Sequence, residues 1–260
     1  MCIIKTVGIG GSNTVADVRS IQLLLNMNSG QRELNSPLVT DGLWGAASRI
    51  ALEKFRQGAG IAADKPVAPG DATIKALRAG LPNDWVAQKL WLIMIDAGSE
   101  KIARFHQPII DALAHYKINT PLRIAHFLAQ IAHESGCLRY TEELASGKAY
   151  DGRADLGNDK PNDGPLFKGR GLIQLTGRSN YRQYGRACGH DFENKDDPRL
   201  VGSDPGLAVD VAGWFWSGRG LNALADLDQL DAITRKINGG TNGLNDRAAF
   251  LARAKWLLIN

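Results

Sequence analysis

Apolar residues recur at three- and four-residue spacing along most of this chain, and that period restricts it to a mainly helical fold. Val15 to Leu25 carries Val15, Val18, Ile21, Leu24 and Leu25 on one stripe, and Ala46 to Phe55 repeats the pattern with Ile50, Ala51, Leu52 and Phe55. Asp71 to Leu77 does so again, with Asp71 placed to cap the first turn. Longer amphipathic stretches follow at Trp85–Ala97, Lys101–His115 and Leu122–Glu134, then at Gly206–Trp216, Leu230–Ile237 and Asn245–Leu258. Candidates for extended strand are few and short. Between Ser146 and Lys168 the period disappears into a segment rich in Gly, Asp, Asn and Pro. A loop of that length inside a compact domain usually serves function.

Two bodies are expected. The first 80 residues hold three short helices separated by Thr40-Asp41-Gly42 and Gly58-Ala59-Gly60, both turn signals. Residues 81–84 read as a linker, and residues 85–260 as a larger helical domain. No apolar run approaches the roughly 20 residues that span a bilayer, so no membrane anchor is expected. Residues 1–11 lack the pattern of a secretory signal. The expectation is synthesis in the cytoplasm, with delivery by other means to any target outside it. Cys2, Cys137 and Cys188 are odd in number and form no CxxC pair, which argues against a disulfide framework. The net charge of +4 is concentrated in residues 1–82, where 9 Lys+Arg meet 6 Asp+Glu. A mild excess of that kind suits an anionic polymer. Without a dense basic run and interleaved aromatics, nucleic acid is not an expected partner.

Three segments of the first body are specific in combination. Asp17 to Asn26 contains Ile21-Gln22 and Leu25-Asn26, Val39 to Gly45 contains Asp41-Gly42 and Trp44, and Ala51 to Arg56 contains Ala51-Leu52 and Phe55. In this order and spacing, over about residues 12–80, they resemble the peptidoglycan-binding domain family of small three-helix modules. The resemblance implies a part that binds wall and does not cut it. Trp44 is either a platform for a sugar ring or a core aromatic.

In the second body the stripe Ile124, Phe127, Leu128, Ile131 leads to Glu134 at the end of its helix. An apolar surrounding and the negative end of the helix dipole both favour a protonated carboxyl there, as a general acid requires. The plain alternative is a surface glutamate at a frayed helix end. Nine residues on stands Glu143, with Glu142 beside it, and glycoside hydrolysis needs two carboxylates across a cleft. No HExxH or tight ligand cluster occurs among the five histidines, so a metal-dependent amidase is disfavoured and no cofactor is expected. His126 and His133 read as core or supporting histidines.

The segment Lys168 to Tyr181, with Gly169-Arg170-Gly171, Leu172-Ile173-Gln174-Leu175 and Thr176-Gly177-Arg178-Ser179-Asn180, is the sharpest signal. With Ala132 to Gly136 and Ile237-Asn238-Gly239-Gly240, it resembles glycoside hydrolase family 19, the family of plant-type chitinases and many phage endolysins. The likeness covers roughly residues 85–260. It implies Glu134 as general acid, Glu143 as general base with Glu142 the weaker choice, and Thr176 as the hydroxyl that helps hold the attacking water. It implies sugar contacts from Gln174, Asn180 and Asn238. Arg247 answers to an arginine supporting the acidic cleft, and Tyr181 to a cleft or core position. Inversion at the anomeric carbon is implied. The loop from Leu144 to Phe167 is shorter than in plant chitinases and lacks their disulfide cysteines, and Cys137 stands where a small residue is usual, as a packing cysteine.

Joined to a wall-binding module, such a domain implies a monomeric lysin acting on peptidoglycan between N-acetylmuramic acid and N-acetylglucosamine. The architecture is that of a phage or prophage endolysin released from the host cytoplasm to the periplasm. Rival expectations are a chitinase, an antibacterial effector or autolysin of the same chemistry, and a wall-binding protein with a decayed enzyme domain.

Overall fold

A computed structural model describes residues 2–28 and 37–259. The fold is mainly helical, as the periodicity requires, and among the described residues the extended pairing is limited to isolated bridges. The chain divides into two compact units, Met1–Asp96 with Lys255–Asn260, and Ala97–Ala254. The division therefore falls after Asp96 and not at residues 81–84, and the last six residues group with the first unit. Among the described residues no helix is long and apolar enough to cross a membrane.

In the first unit the helices are α1 (Val15–Met27), α2 (Ala46–Gly58), α3 (Ala72–Ala79) and α4 (Ala87–Ile93). The polar letters of its sequence motif have structural work. Buried Gln22 donates through Nε2 to Asp41 Oδ1 at 2.9 Å and to Ser48 Oγ at 3.1 Å, and its Oε1 accepts from the Gly42 amide at 2.9 Å. One side chain thus ties α1 to the Asp-Gly turn and to the first turn of α2. Gly42 has φ +80, and a Cβ there would come within 2.6 Å of Val15, so only glycine fits. Asn26 exchanges two hydrogen bonds with the backbone of Leu38, at 2.9 and 2.8 Å. Asp71 caps α3, accepting from the Ile74 amide at 2.9 Å. The fourth helix is shorter than Trp85–Ala97. Met94 leaves helical geometry at ψ 63, and Gly98, at φ 78, starts the next helix.

The second unit contains α5 (Ser99–His115), α6 (Pro121–Glu134), the single turn α7 (Asp163–Leu166), α8 (Arg178–Cys188), α9 (Leu200–Ser203), α10 (Pro205–Gly218), α11 (Leu221–Asp226), α12 (Leu230–Asn238) and α13 (Leu244–Leu258), whose last residues group with the first unit. Helix α6 is the axis of its core. Thr120 caps it, Pro121 sits where its missing N–H costs nothing, and Ala125 to Ala132 are all buried. Phe127 meets Trp216 of α10 edge-on at 5.4 Å. Helix α5 packs against α10 by way of close contacts such as Gly213, where a Cβ would meet the Tyr116 ring at 2.1 Å.

Helix α8 is not apparent from the periodicity. Its only large apolar anchors are Tyr181 and Tyr184, both fully buried, and the rest of its surface is polar. The long loop of residues 146–168 is ordered. It contains 3-10 turns at Lys148–Tyr150 and Ala154–Leu156, and then α7.

Candidate active site

Glu134 closes α6, and the chain then turns sharply. Gly136, Cys137 and Leu138 have φ of 56, 57 and 62, three successive left-handed residues. Two of them bear a Cβ, a conformation that costs of order 1 kcal/mol or more each. Ser135 holds the turn, its hydroxyl donating to Ile131 O at 2.6 Å and accepting from the Leu138 amide at 2.8 Å. Cys137 is buried in this turn, consistent with a packing cysteine.

The turn delivers Thr141 to Glu143 into antiparallel register with Gly169 to Gly171. The Glu143 amide donates to Gly169 O at 2.9 Å, and the Gly171 amide to Thr141 O at 2.8 Å. Residues 170–175 form a tight hairpin, in which Leu175 N donates to Arg170 O at 2.7 Å and Gln174 adopts φ 56. The Leu172 amide anchors the hairpin on α10 through Ala208 O at 2.8 Å.

Neighbouring residues of an extended segment point to opposite faces, and this separates the two candidate bases. Glu142 Oε1 pairs with Lys168 Nζ at 2.9 Å and Arg170 at 3.3 Å. Burial pushes its carboxyl up, but the Lys168 hydrogen bond and the Arg170 charge outweigh that and hold it below the usual range. Among the described residues no cation pairs with the Glu143 carboxylate. Its Oε1 accepts from the Tyr150 hydroxyl at 3.0 Å and its Oε2 from the Gly169 amide at 3.2 Å. A Cβ placed on Gly169 would lie 2.9 Å from Gln174 Oε1, 3.3 Å from Glu143 Oε2 and 3.3 Å from Thr176 Oγ1. Glu143, Gln174 and Thr176 therefore converge on one point, open because residue 169 has no side chain. Asn180 stands beside them, half-buried, with Nδ2 donating to Thr176 O at 2.7 Å.

A second cluster surrounds Glu134, whose side chain keeps 18% of its surface exposed. Its Oε1 pairs with the Arg247 guanidinium of α13, which also reaches Gln130 Oε1 and donates to Asn242 O at 3.4 Å. Asn238 joins the same carbonyl, donating to Asn242 O at 2.9 Å while its Oδ1 accepts from Gly240 N at 2.8 Å. His133 Nδ1 lies 2.6 Å from Asp246 Oδ2, and a Cβ on Gly243 would strike the His133 ring at 2.1 Å. His126 instead faces Asp228 at 2.7 Å, so the two histidines have separate partners.

Tyr181 and Arg247 both lie inside the protein. Tyr181 is fully buried, its hydroxyl donating to Lys168 O at 2.8 Å and accepting from Arg170 at 3.2 Å, so it is a core residue. Arg247, the arginine expected to support the acidic cleft, is 1% exposed and pairs with Glu134. Gln130 and Tyr150 were not singled out from sequence. Gln130 gave a signal, a polar residue one turn before Glu134 inside an apolar stripe. Trp44 belongs to the first unit. It is half-buried and lines a cavity of about 140 Å³ with Arg49, Leu52, Glu53 and Arg56.

A helical fold with a helix-end carboxylate and a second carboxylate on the extended segment that follows is compatible with a two-carboxylate glycosidase, and the comparisons give the family. The family described as Chitinase class I, glycoside hydrolase family 19, matches residues 118–224. A glycosyl hydrolase family 19 domain-containing protein of Haemophilus influenzae is 33% identical over 154 residues, covering 47% of this chain and 74% of that protein. An endochitinase of Arabidopsis thaliana is 40% identical over 136 residues, 52% of this chain and 45% of the relative. The chain thus spans less than half of that plant relative. Chitinase C from Streptomyces griseus shares the fold at a TM-score of 0.56 and 22% identity, over 68% of this chain and 94% of that one. The chain belongs to glycoside hydrolase family 19. The matched stretch holds Glu134, Glu143, Gln174, Thr176 and Asn180, while Asn238 and Arg247 lie beyond it.

Proposed function

We propose that this chain hydrolyses the β-1,4 bonds of bacterial peptidoglycan, as a lysozyme-type glycosidase. The observation that carries the chemistry is the convergence of Glu143, Thr176 and Gln174 on the space over Gly169. A water beside the Thr176 hydroxyl, donating one hydrogen to Gln174 Oε1, loses the other to Glu143 Oε2 as it attacks the anomeric carbon. Glu134 gives its proton to the departing glycosidic oxygen. One displacement inverts the anomeric centre. Arg247 then faces the carboxylate that Glu134 has become, and stabilises it. Asn180 and Asn238 flank the two clusters and supply polar contacts to the sugars. Solvent exchange returns the proton from Glu143 to Glu134.

The choice of peptidoglycan rests on the first unit. Its Gln22, Asn26 and Asp41-Gly42 framework resembles that of wall-binding modules, and Trp44, half-buried at a cavity, would stack on a sugar there. With such a module the protein would act as an endolysin, reaching the wall on release from the cytoplasm. An effector or autolysin would use the same chemistry. A second reading, chitin hydrolysis, is favoured by the plant relatives, which are named endochitinases.

Glu134→Gln and Glu143→Gln should each lower the release of reducing ends from purified peptidoglycan by about 10²- to 10⁴-fold. Unchanged rates in both would remove the assignment. Mass spectrometry of borohydride-reduced digests separates the substrates. Reduced N-acetylmuramic acid ends are expected. Reduced N-acetylglucosamine ends, or hydrolysis of chitin oligomers alone, would overturn the peptidoglycan reading.

A further inference from the structure

The long loop of residues 146–168 is built to bring one side chain to Glu143. It opens at Gly147, whose φ is +77 and whose Cβ, if present, would lie 2.7 Å from Gly164 O. The two ends of the loop therefore touch through glycine backbone. Asp151 Oδ1 accepts from the Gly164 amide at 2.8 Å. Asn158, fully buried, donates to Tyr150 O at 2.9 Å, and its Oδ1 accepts from the Arg178 amide, at the start of α8, at 2.8 Å. The buried pair Arg178–Asp163 and the Arg178 guanidinium over the Phe167 ring at 4.6 Å lock the far end. Held at its backbone by Asn158, Tyr150 extends its hydroxyl to Glu143 Oε1 at 3.0 Å.

We infer that Tyr150 is a positioning residue for the general base: its phenol fixes the Glu143 carboxylate plane so that Oε2 faces the point shared with Gln174 and Thr176. The inference rests on the reading of Glu143 as base. The backbone of Glu143 is fixed by its pairing with Gly169, but the terminal torsion of a glutamate is broad and roughly two-fold. Pairing of the main chain therefore leaves the carboxylate free to rotate. The Gly169 amide holds Oε2 at 3.2 Å, and Tyr150 supplies the second donor, on the other oxygen. Two donors on two oxygens define a plane. A phenol suits the task, since it donates without bringing a cation that would draw the carboxylate away, as Lys168 and Arg170 draw Glu142. Burial and the hydrogen bond to Glu143 push the Tyr150 phenol above its ordinary value, so it remains a donor across the neutral range.

The test compares Tyr150→Phe in the full chain with Glu143→Gln and with the double variant, measuring reducing ends released from purified peptidoglycan. Tyr150→Phe keeps the ring and loses one hydrogen bond to a charged group, so kcat should fall about tenfold to a hundredfold with KM and the thermal midpoint held. In the Glu143→Gln background the same change should have no further effect, because the base it positions is gone. An unchanged kcat, a raised KM at constant kcat, or an equal further loss on top of Glu143→Gln would each overturn the proposal. Wild-type activity in Glu143→Gln would instead remove the assignment of the base itself.

Discussion

The two carboxylates of this site are held in opposite ways. Glu134 ends a helix whose middle is wholly buried, and a guanidinium shared with Gln130 and Asn242 O clamps one of its oxygens. Glu143 sits on a short extended segment, its carboxylate held by an amide and a phenol and paired with no cation among the described residues. The contrast fits the two proposed roles. An acid that gives up its proton becomes a charge, and a cation beside it stabilises that product. A base that must accept a proton needs fixed geometry and an open approach, and a cation on it would oppose proton uptake. Glu142, one residue away, shows the alternative. Its Lys168 and Arg170 partners make it a structural ion pair, although its carboxylate is chemically the same as that of Glu143.

If the acid side is built on burial and charge, damage there should cost stability as well as rate. Arg247→Ala leaves Gln130 and Glu134 without their shared donor, and loss of a buried partner of this kind costs about 3–5 kcal/mol. Glu134 is partly exposed, so the lower end is expected, read as a drop in the denaturant midpoint. A loss under about 1 kcal/mol would make the cluster no firmer than a surface ion pair. On the base side the expected damage is to rate. Gly169→Ala places a methyl 2.9 Å from Gln174 Oε1, inside the space where Glu143 and Thr176 converge. Its backbone shows no left-handed φ, so folding should be nearly unaffected. Misplacing a reacting group by about 1 Å can cost on the order of 10²-fold, and kcat should fall by roughly that factor while the thermal midpoint moves little. Equal stability losses in the two variants would break the contrast. Gly243→Ala tests the acid side from behind, since it strains a residue at φ +70 and pushes the His133 ring. About 1–3 kcal/mol should be lost, with the thermal midpoint as the measure.

Much of this was legible in the sequence, and what was missed has physical causes. The helical period gave α1, α5, α6, α10, α12 and α13 nearly to the residue, because each buries an apolar stripe. Helix α8 was not visible, since its buried side is two tyrosines in an otherwise polar segment. Glu134, Glu143, Gln174 and Thr176 were marked by motif, and three of them meet at Gly169. The burial of Tyr181 and Arg247 could not be read from their letters, because amphipathic side chains lie inside or outside according to their partners. Tyr150 was invisible for a different reason. It lies in an aperiodic stretch, and only the folding of that stretch through Gly147, Asn158 and Gly164 brings it to Glu143.

The smallest effect should come from Glu142, and its pH dependence separates it from its neighbour. The folded-state carboxyl titrates below its ordinary value of 4.5. A group of this kind stabilises the fold above the unfolded value, and that contribution disappears as pH falls through the folded one. Its side chain is 42% exposed, so solvent screening reduces the pair with Lys168 and Arg170 to a few tenths of a kcal/mol. Glu142→Gln should therefore lower the thermal midpoint slightly at pH 7, and the difference from wild type should vanish as the solution is taken below pH 4.5. Activity at pH 7 should stay within about twofold of wild type, since surface substitutions of this size rarely exceed 0.5 kcal/mol. A large loss of kcat with an unchanged midpoint would make Glu142 the base, and the division of labour drawn between the two neighbouring glutamates would have to be reversed.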